Sequence, residues 1–93
     1  MKVKRIRVKS KEDFFYELEE VAKRLAPWHM IRGERPRSIL ELSRMTKRDF
    51  KSVHRDVAVL VGAGIVEPKE GKGARGNTQQ PLNLADSLLL EVA

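Results

Sequence analysis

Apolar residues recur at intervals of three and four positions in three stretches of the chain, and this spacing constrains the fold more than any other feature. Such spacing is typical of amphipathic helices that bury one face in a common core. Each stretch follows a residue suited to cap a helix, namely Ser10, Ser38 or Asp49. We therefore predict helices over residues 11–26, from 39 to about 45, and over 49–62.

The apolar positions of each helix form a stripe, and we expect the stripe of the third helix to be buried. In the first helix the stripe consists of Phe14, Phe15, Leu18, Val21, Ala22 and Leu25. In the second it consists of Ile39, Leu40, Leu42 and Met45. In the third it consists of Phe50, Val53, Val57, Leu60 and Val61, followed by Gly62 and Gly64 as stop signals.

The remaining segments are short and strand-like. Residues 3–8 and 65–67 favour strands, residues 70–77 a glycine-containing loop, and residues 79–84 a returning strand. The apolar segment at 88–92 is compatible with a strand or a helix, and Pro27 either ends the first helix or begins a short second one. The expected fold class is therefore α+β, mainly α, within one domain over residues 1–93.

Composition excludes several classes of protein. The chain has no cysteine, which excludes disulfide scaffolds and thiolate metal sites. It has no apolar run of about 20 residues, so we expect no membrane association and a cytoplasmic location. Its two histidines, His29 and His54, fall in different elements and fit no metal-ligand or triad spacing. We expect no enzyme activity, no metal and no cofactor.

Charge is concentrated rather than evenly spread. The formal net charge is +6, with +5 in residues 1–10, −2 in residues 11–26 and +4 in residues 27–62. If the third helix buries its apolar stripe, its opposite face presents Lys51, Ser52, His54 and Arg55. A helix carrying cations on its outer face is suited to a polyanion, although a merely solvated basic face would have the same composition.

The order of elements after residue 38 is two short helices joined by a tight turn, then strand, basic loop and strand. That order is typical of a winged helix-turn-helix, which places its second helix in the major groove of duplex DNA. The candidate DNA-binding residues of the recognition helix are Lys47, Arg48, Lys51, Ser52, His54 and Arg55. The wing would contribute Lys72 and Arg75, and the preceding helix Ser38 and Arg44.

Residues 38–43 (SILELS), 51–57 (KSVHRDV) and 64–67 (GIVE) resemble the small archaeal and bacterial winged-helix transcriptional regulators of the MarR/ArsR-like grouping. The resemblance covers residues 38–67 and implies sequence-specific binding of double-stranded DNA, as a homodimer acting as a repressor. Some relatives are similar to antitoxins, so the resemblance also implies an alternative, an antitoxin that binds a cognate toxin protein and regulates its own promoter.

This interpretation gives each segment of the domain a separate role. Residues 1–26 form a strand and a dimerisation helix, residues 38–62 the helix-turn-helix, and residues 65–84 the wing. The dimerisation residues would be Phe14, Phe15, Leu18, Val21 and Leu25, because their stripe is wider than a small monomer readily covers. Packing of the whole stripe on its own domain is the alternative. Asp56 should pair with an arginine, and Trp28 should lie in the core.

Overall fold

A computed structural model of the chain has four helices and four strands. It describes residues 2–73 and 76–93, and within these ranges the side chains of all residues except 71–78. In chain order the elements are β1 (Val3–Val8), α1 (Lys11–Ala22), α2 (Leu25–Glu34), α3 (Ile39–Thr46), α4 (Phe50–Gly62), β2 (Val66–Gly73), β3 (Gly76–Asn83) and β4 (Ser87–Val92). The fold class is α+β, as predicted. None of the helices in these ranges is long and apolar enough to cross a membrane.

Three helices begin at the predicted caps. The Ser10 hydroxyl accepts a hydrogen bond from the Asp13 backbone N–H at 3.1 Å, and the Ser38 hydroxyl accepts one from the Glu41 N–H at 3.0 Å. The Asp49 carboxylate accepts one from the Ser52 N–H, also at 3.0 Å. Each side chain satisfies an N–H group that has no partner within its own helix, so the starts of α1, α3 and α4 are set locally.

The predicted helix over residues 11–26 is wrong at its end, because the chain breaks into α1 and α2 at a turn over residues 23–24. Arg24 leaves helical geometry with φ −112° and ψ 15°, and its carbonyl accepts the first backbone hydrogen bond of α2, from Trp28 at 3.0 Å. Pro27 lies in the first turn of α2, where a missing N–H costs nothing. The short second helix that was expected to begin at Pro27 has ten residues and begins at Leu25.

The core contains residues from every helix. Leu42, Val53, Leu60 and Ile65 are fully buried, and Trp28 is 7% exposed. The Trp28 indole Nε1–H donates a hydrogen bond to the Asn83 side-chain oxygen at 2.8 Å, so the ring is buried without losing its polar partner. The prediction that Trp28 is a core residue is confirmed.

β2 and β3 form an antiparallel hairpin that is longer than expected. Pairing runs from Val66 opposite Asn83 to Gly73 opposite Gly76. The loop predicted over residues 70–77 is therefore wrong for most of its length, because the backbone continues its ladder through the glycines. Arg75 lies outside the described residues.

β1 and β4 form a separate, parallel two-stranded sheet with Val3 opposite Ser87 and Val8 opposite Val92. The sequence of residues 88–92 was compatible with a strand or a helix, and in the structure this segment is a strand. On the exposed side of this pair Glu91 lies 3.9 Å from both Arg5 and Arg7.

Gly64 turns the chain from α4 into β2 with φ +77°, a conformation that disfavours any residue with a Cβ atom. We expect Gly64→Ala to lower the free energy of unfolding by about 1–2 kcal/mol, because alanine is strained in this region. Urea denaturation provides the measurement. The control is Gly62→Ala, where an added Cβ meets no atom within 4 Å. An equal loss at both positions would contradict the assignment of the cost to backbone conformation.

Candidate nucleic-acid interface

α3 and α4 are joined by a tight turn over residues 47–49. Lys47 adopts the left-handed conformation with φ 56°, and its N–H donates to the Arg44 carbonyl at 3.3 Å. The Arg48 N–H then donates to the Ser43 carbonyl at 3.1 Å, which closes the end of α3. Asp49 follows as the cap of α4. The turn therefore brings the end of α3 close to the beginning of α4.

α4 buries one face and exposes the other. Val53, Val57 and Leu60 are at most 3% exposed and belong to the core, whereas Lys51, His54 and Arg55 are exposed. The orientation predicted from the apolar spacing is therefore confirmed for these side chains. Val61 is half-buried and packs against the core from its edge.

Phe50 is an exception, and its predicted place in the buried stripe is wrong. Its side chain is 48% exposed, and its ring centroid lies 5.8 Å from that of His54 with the two planes tilted by 37°. Phe50 is the first residue of α4, and it borders an open cavity rather than the packed interior. Helical spacing sets the direction of a side chain, but it does not say how far along a helix the core extends.

Asp56 is a buried acid on α4 that joins two arginines. Its side chain is 8% exposed, and Oδ1 accepts a hydrogen bond from Arg24 Nε at 3.1 Å while Oδ2 accepts one from Arg48 Nη1. Arg24 also donates to the Glu20 carboxylate and carbonyl. The predicted pairing of Asp56 with an arginine is confirmed. One of its two partners is Arg48, which was expected to face DNA. The Arg48 side chain is still 43% exposed.

Two serines predicted as DNA contacts also have partners within the protein. Ser38 is half-buried as the cap of α3, and the Ser52 hydroxyl donates to Asp49 Oδ1 at 2.7 Å. Hydrogen bonds from the Ser52 hydroxyl and then from its backbone N–H lower the pKa of the Asp49 carboxyl below its ordinary value. The carboxylate is thus ionised at neutral pH. It lies at the N-terminal end of α4, where the helix dipole favours negative charge.

Besides Arg48, four cations in this region are exposed: Arg44, Lys47, Lys51 and Arg55. Among the residues with described side chains, none of the four lies within 4.0 Å of a carboxylate oxygen. Lys51 and Arg55 are one helical turn apart on α4 and therefore neighbours. On the expected wing, the Lys72 backbone belongs to β2, but its side chain and all of Arg75 lie outside the described part.

The predicted dimerisation stripe divides into buried and exposed residues. Val21 is 5% exposed and packs in the core of its own chain, and Phe14 is half-buried. Phe15, Leu18 and Leu25 are 63%, 48% and 51% exposed. Tyr16 on α1 and Leu89 and Val92 on β4 are also exposed.

An open cavity of about 690 Å³ lies between α2 and β3, and the sequence did not indicate it. His29, Arg32 and Arg35 line it together with Glu67 and Asp86. The Arg32 guanidinium lies 5.3 Å from the centroid of the Trp28 ring, a cation–π contact. Within residues 2–73 and 76–93 no three His, Asp or Glu side chains come together as a metal site.

The family model described as HVO_A0114 matches residues 19–86. The match contains α2, α3, α4, β2 and β3, and so includes the turn, the exposed cations and the hairpin. Neither the curated proteins nor the solved structures contain a match to this chain.

We expect Asp56→Asn to lower the free energy of unfolding by about 1–3 kcal/mol, because the buried Arg24 loses one of its two carboxylate partners and Arg48 loses its contact with α4. The change should be measured by urea denaturation. Asp13→Asn is the matched control, since Asp13 is exposed, and it should alter stability by less than about 0.5 kcal/mol. Equal stability of Asp56→Asn and the wild type would show that this cluster is not a structural element.

Proposed function

We propose that this chain, which belongs to the HVO_A0114 family, is a sequence-specific regulator that binds double-stranded DNA through α4. The observation that carries the proposal is the set of exposed cations on the turn and the first half of α4, opposite a buried apolar stripe. A surface of this kind attracts a polyanion, and the phosphate backbone of DNA is the polyanion that a helix-turn-helix recognises.

The dimensions of α4 support insertion into the major groove. A helix with its side chains is about 10–12 Å across, and the major groove of B-DNA is about 12 Å wide. Arg55 would offer its guanidinium fork to a guanine edge, with His54 beside it. Lys47 and Lys51 would contact phosphates at the groove margin.

The other elements are assigned by their order along the chain. α3 would cross the sugar-phosphate backbone with Arg44, while β2 and β3 would form the wing of a winged helix-turn-helix and bring Lys72 and Arg75 to an adjacent phosphate. Arg48 has a different part in this proposal, since its contact with Asp56 fixes the turn that precedes α4. It would reach DNA only through its exposed half.

A second copy of the chain would complete the binding unit. Phe15 and Leu18 on α1 and Leu25 on α2 are exposed apolar residues of the predicted dimerisation stripe. Leu18 and Leu25 line an apolar groove of about 370 Å³ with Leu88 and Leu90. Two-fold proteins suit operators with two half-sites, and a dimer bound there would block polymerase. The proposed action is therefore repression.

An antitoxin is the second candidate, and the same apolar surface is the observation that favours it. A toxin protein would cover Leu18 and Leu25 in place of the second copy, and the DNA-binding face would remain available for regulation of the promoter. Isolation of the chain from its native cells in a complex that survives high salt, together with a second protein, would favour this candidate. A homodimer isolated under the same conditions would favour the first.

We expect Arg55→Ala to weaken binding to a duplex selected from random sequences by about 1–3 kcal/mol and to relax the preference at one base pair. Affinities should be measured at two salt concentrations, because phosphate contacts are salt-dependent. Arg7→Ala is the control, since it removes the same charge from exposed β1, and it should leave the base preference unchanged. Equal binding by Arg55→Ala and the wild type would remove Arg55 from base recognition.

We expect the double substitution Leu18→Glu and Leu25→Glu to convert a dimer into a monomer of 10.6 kDa, because four buried charges would oppose one another or lack partners. Light scattering after size-exclusion chromatography measures the mass. Met45→Glu, a change at an exposed apolar residue of α3, should leave the dimer intact. A dimer that survives the double substitution would exclude this surface as the interface.

A further inference from the structure

Two large apolar side chains are exposed on α3 and α4, the two helices of the proposed DNA-binding unit. Phe50, the first residue of α4, is 48% exposed, and Leu40, in the first turn of α3, is 47% exposed. Both line an open cavity of about 340 Å³ together with His54, and Glu70 and Gln79 of the hairpin border it. Apolar side chains therefore lie where the two helices and the hairpin meet.

Phe50 leaves about half of its side chain in solvent, although it is only three residues before the fully buried Val53. Its ring instead lies beside His54, with 5.8 Å between the ring centroids. An exposed aromatic ring held by a neighbour on the same helix is suited to an apolar contact with a ligand.

Two exposed cations lie near Phe50 in the sequence, and they indicate the chemistry of that ligand. Lys47 is three residues before Phe50, Lys51 follows it directly, and all three are exposed. The complementary ligand carries negative charge on either side of a small apolar group. Duplex DNA has this combination in the major groove, where the phosphates flank the C5-methyl group of thymine.

We propose that Phe50 is a specificity-determining residue that contacts the C5-methyl group of a thymine, with His54 and Leu40 supporting its ring. The inference rests on the proposed binding of duplex DNA and adds the base that the first turn of α4 recognises. Residues near the beginning of a recognition helix contact base edges, which is the position of Phe50 in α4.

The test uses the full chain and a duplex selected from random sequences. Each thymine is replaced in turn by deoxyuridine, which lacks only the methyl group, and affinity is measured by fluorescence anisotropy. We expect the wild type to lose about three- to fivefold in affinity at one thymine in each half-site, the effect of one buried methyl group. Phe50→Ala should bind the thymine and deoxyuridine duplexes equally at that position.

Two variants complete the design. Phe50→Leu keeps an apolar side chain and should retain part of the sensitivity to deoxyuridine. Phe15→Ala removes an exposed aromatic ring from α1 and should retain all of it, whatever its effect on dimerisation, because the readout is a ratio of two affinities. Urea denaturation of each variant verifies that it is folded.

The outcomes separate this inference from the proposed function. Tight binding by the wild type with no sensitive thymine would overturn the inference, leave DNA binding intact, and make the cavity a candidate site for a protein partner. Sensitivity that persists in Phe50→Ala would also overturn it, because another side chain would then contact the methyl group. Failure to select any duplex over background would overturn the proposed function and the inference with it.

Discussion

The carboxylate of Asp56 joins three parts of the chain that the sequence separates. Arg24 belongs to the turn between α1 and α2, Arg48 to the turn before α4, and Asp56 to α4 itself. Burying such a group is unfavourable unless its charge is paired and its oxygens are hydrogen-bonded, and here both oxygens have an arginine donor. The position of α4 relative to α1, α2 and α3 therefore depends on this contact.

Because of this contact, two of the basic residues near α4 pair with an acid inside the protein, and the others remain exposed. Arg24 and Arg48 neutralise Asp56, so their charge contributes less to the outer face than the composition suggests. Lys47, Lys51 and Arg55 are left exposed on one side of α4 and the turn before it. The proposed interface is therefore smaller than the set of basic residues around α4, and it contains apolar surface at Phe50.

The features that could be predicted from the sequence are those determined within a few residues. The caps Ser10, Ser38 and Asp49 and the buried stripe of α4 from Val53 onward depend on local hydrogen bonds and helical spacing, and they were predicted correctly. The break between α1 and α2 was missed, because Arg24 turns toward an acid 32 positions away. The exposure of Phe50 was missed for a related reason, since it depends on where the hairpin lies. The burial of Val21 in the chain's own core could not be predicted, because spacing alone does not distinguish that core from an interface.

The parallel pairing of β1 with β4 has a consequence for the order of folding. Val3 and Ser87 are partners across nearly the whole chain, and parallel strands of this kind need all the intervening helices as their connection. Closing so long a loop costs entropy that is recovered only when the ends meet against an existing core. We therefore expect the helices and the hairpin to assemble first and the strand pair to form last, as the final step that joins the two ends of the sequence.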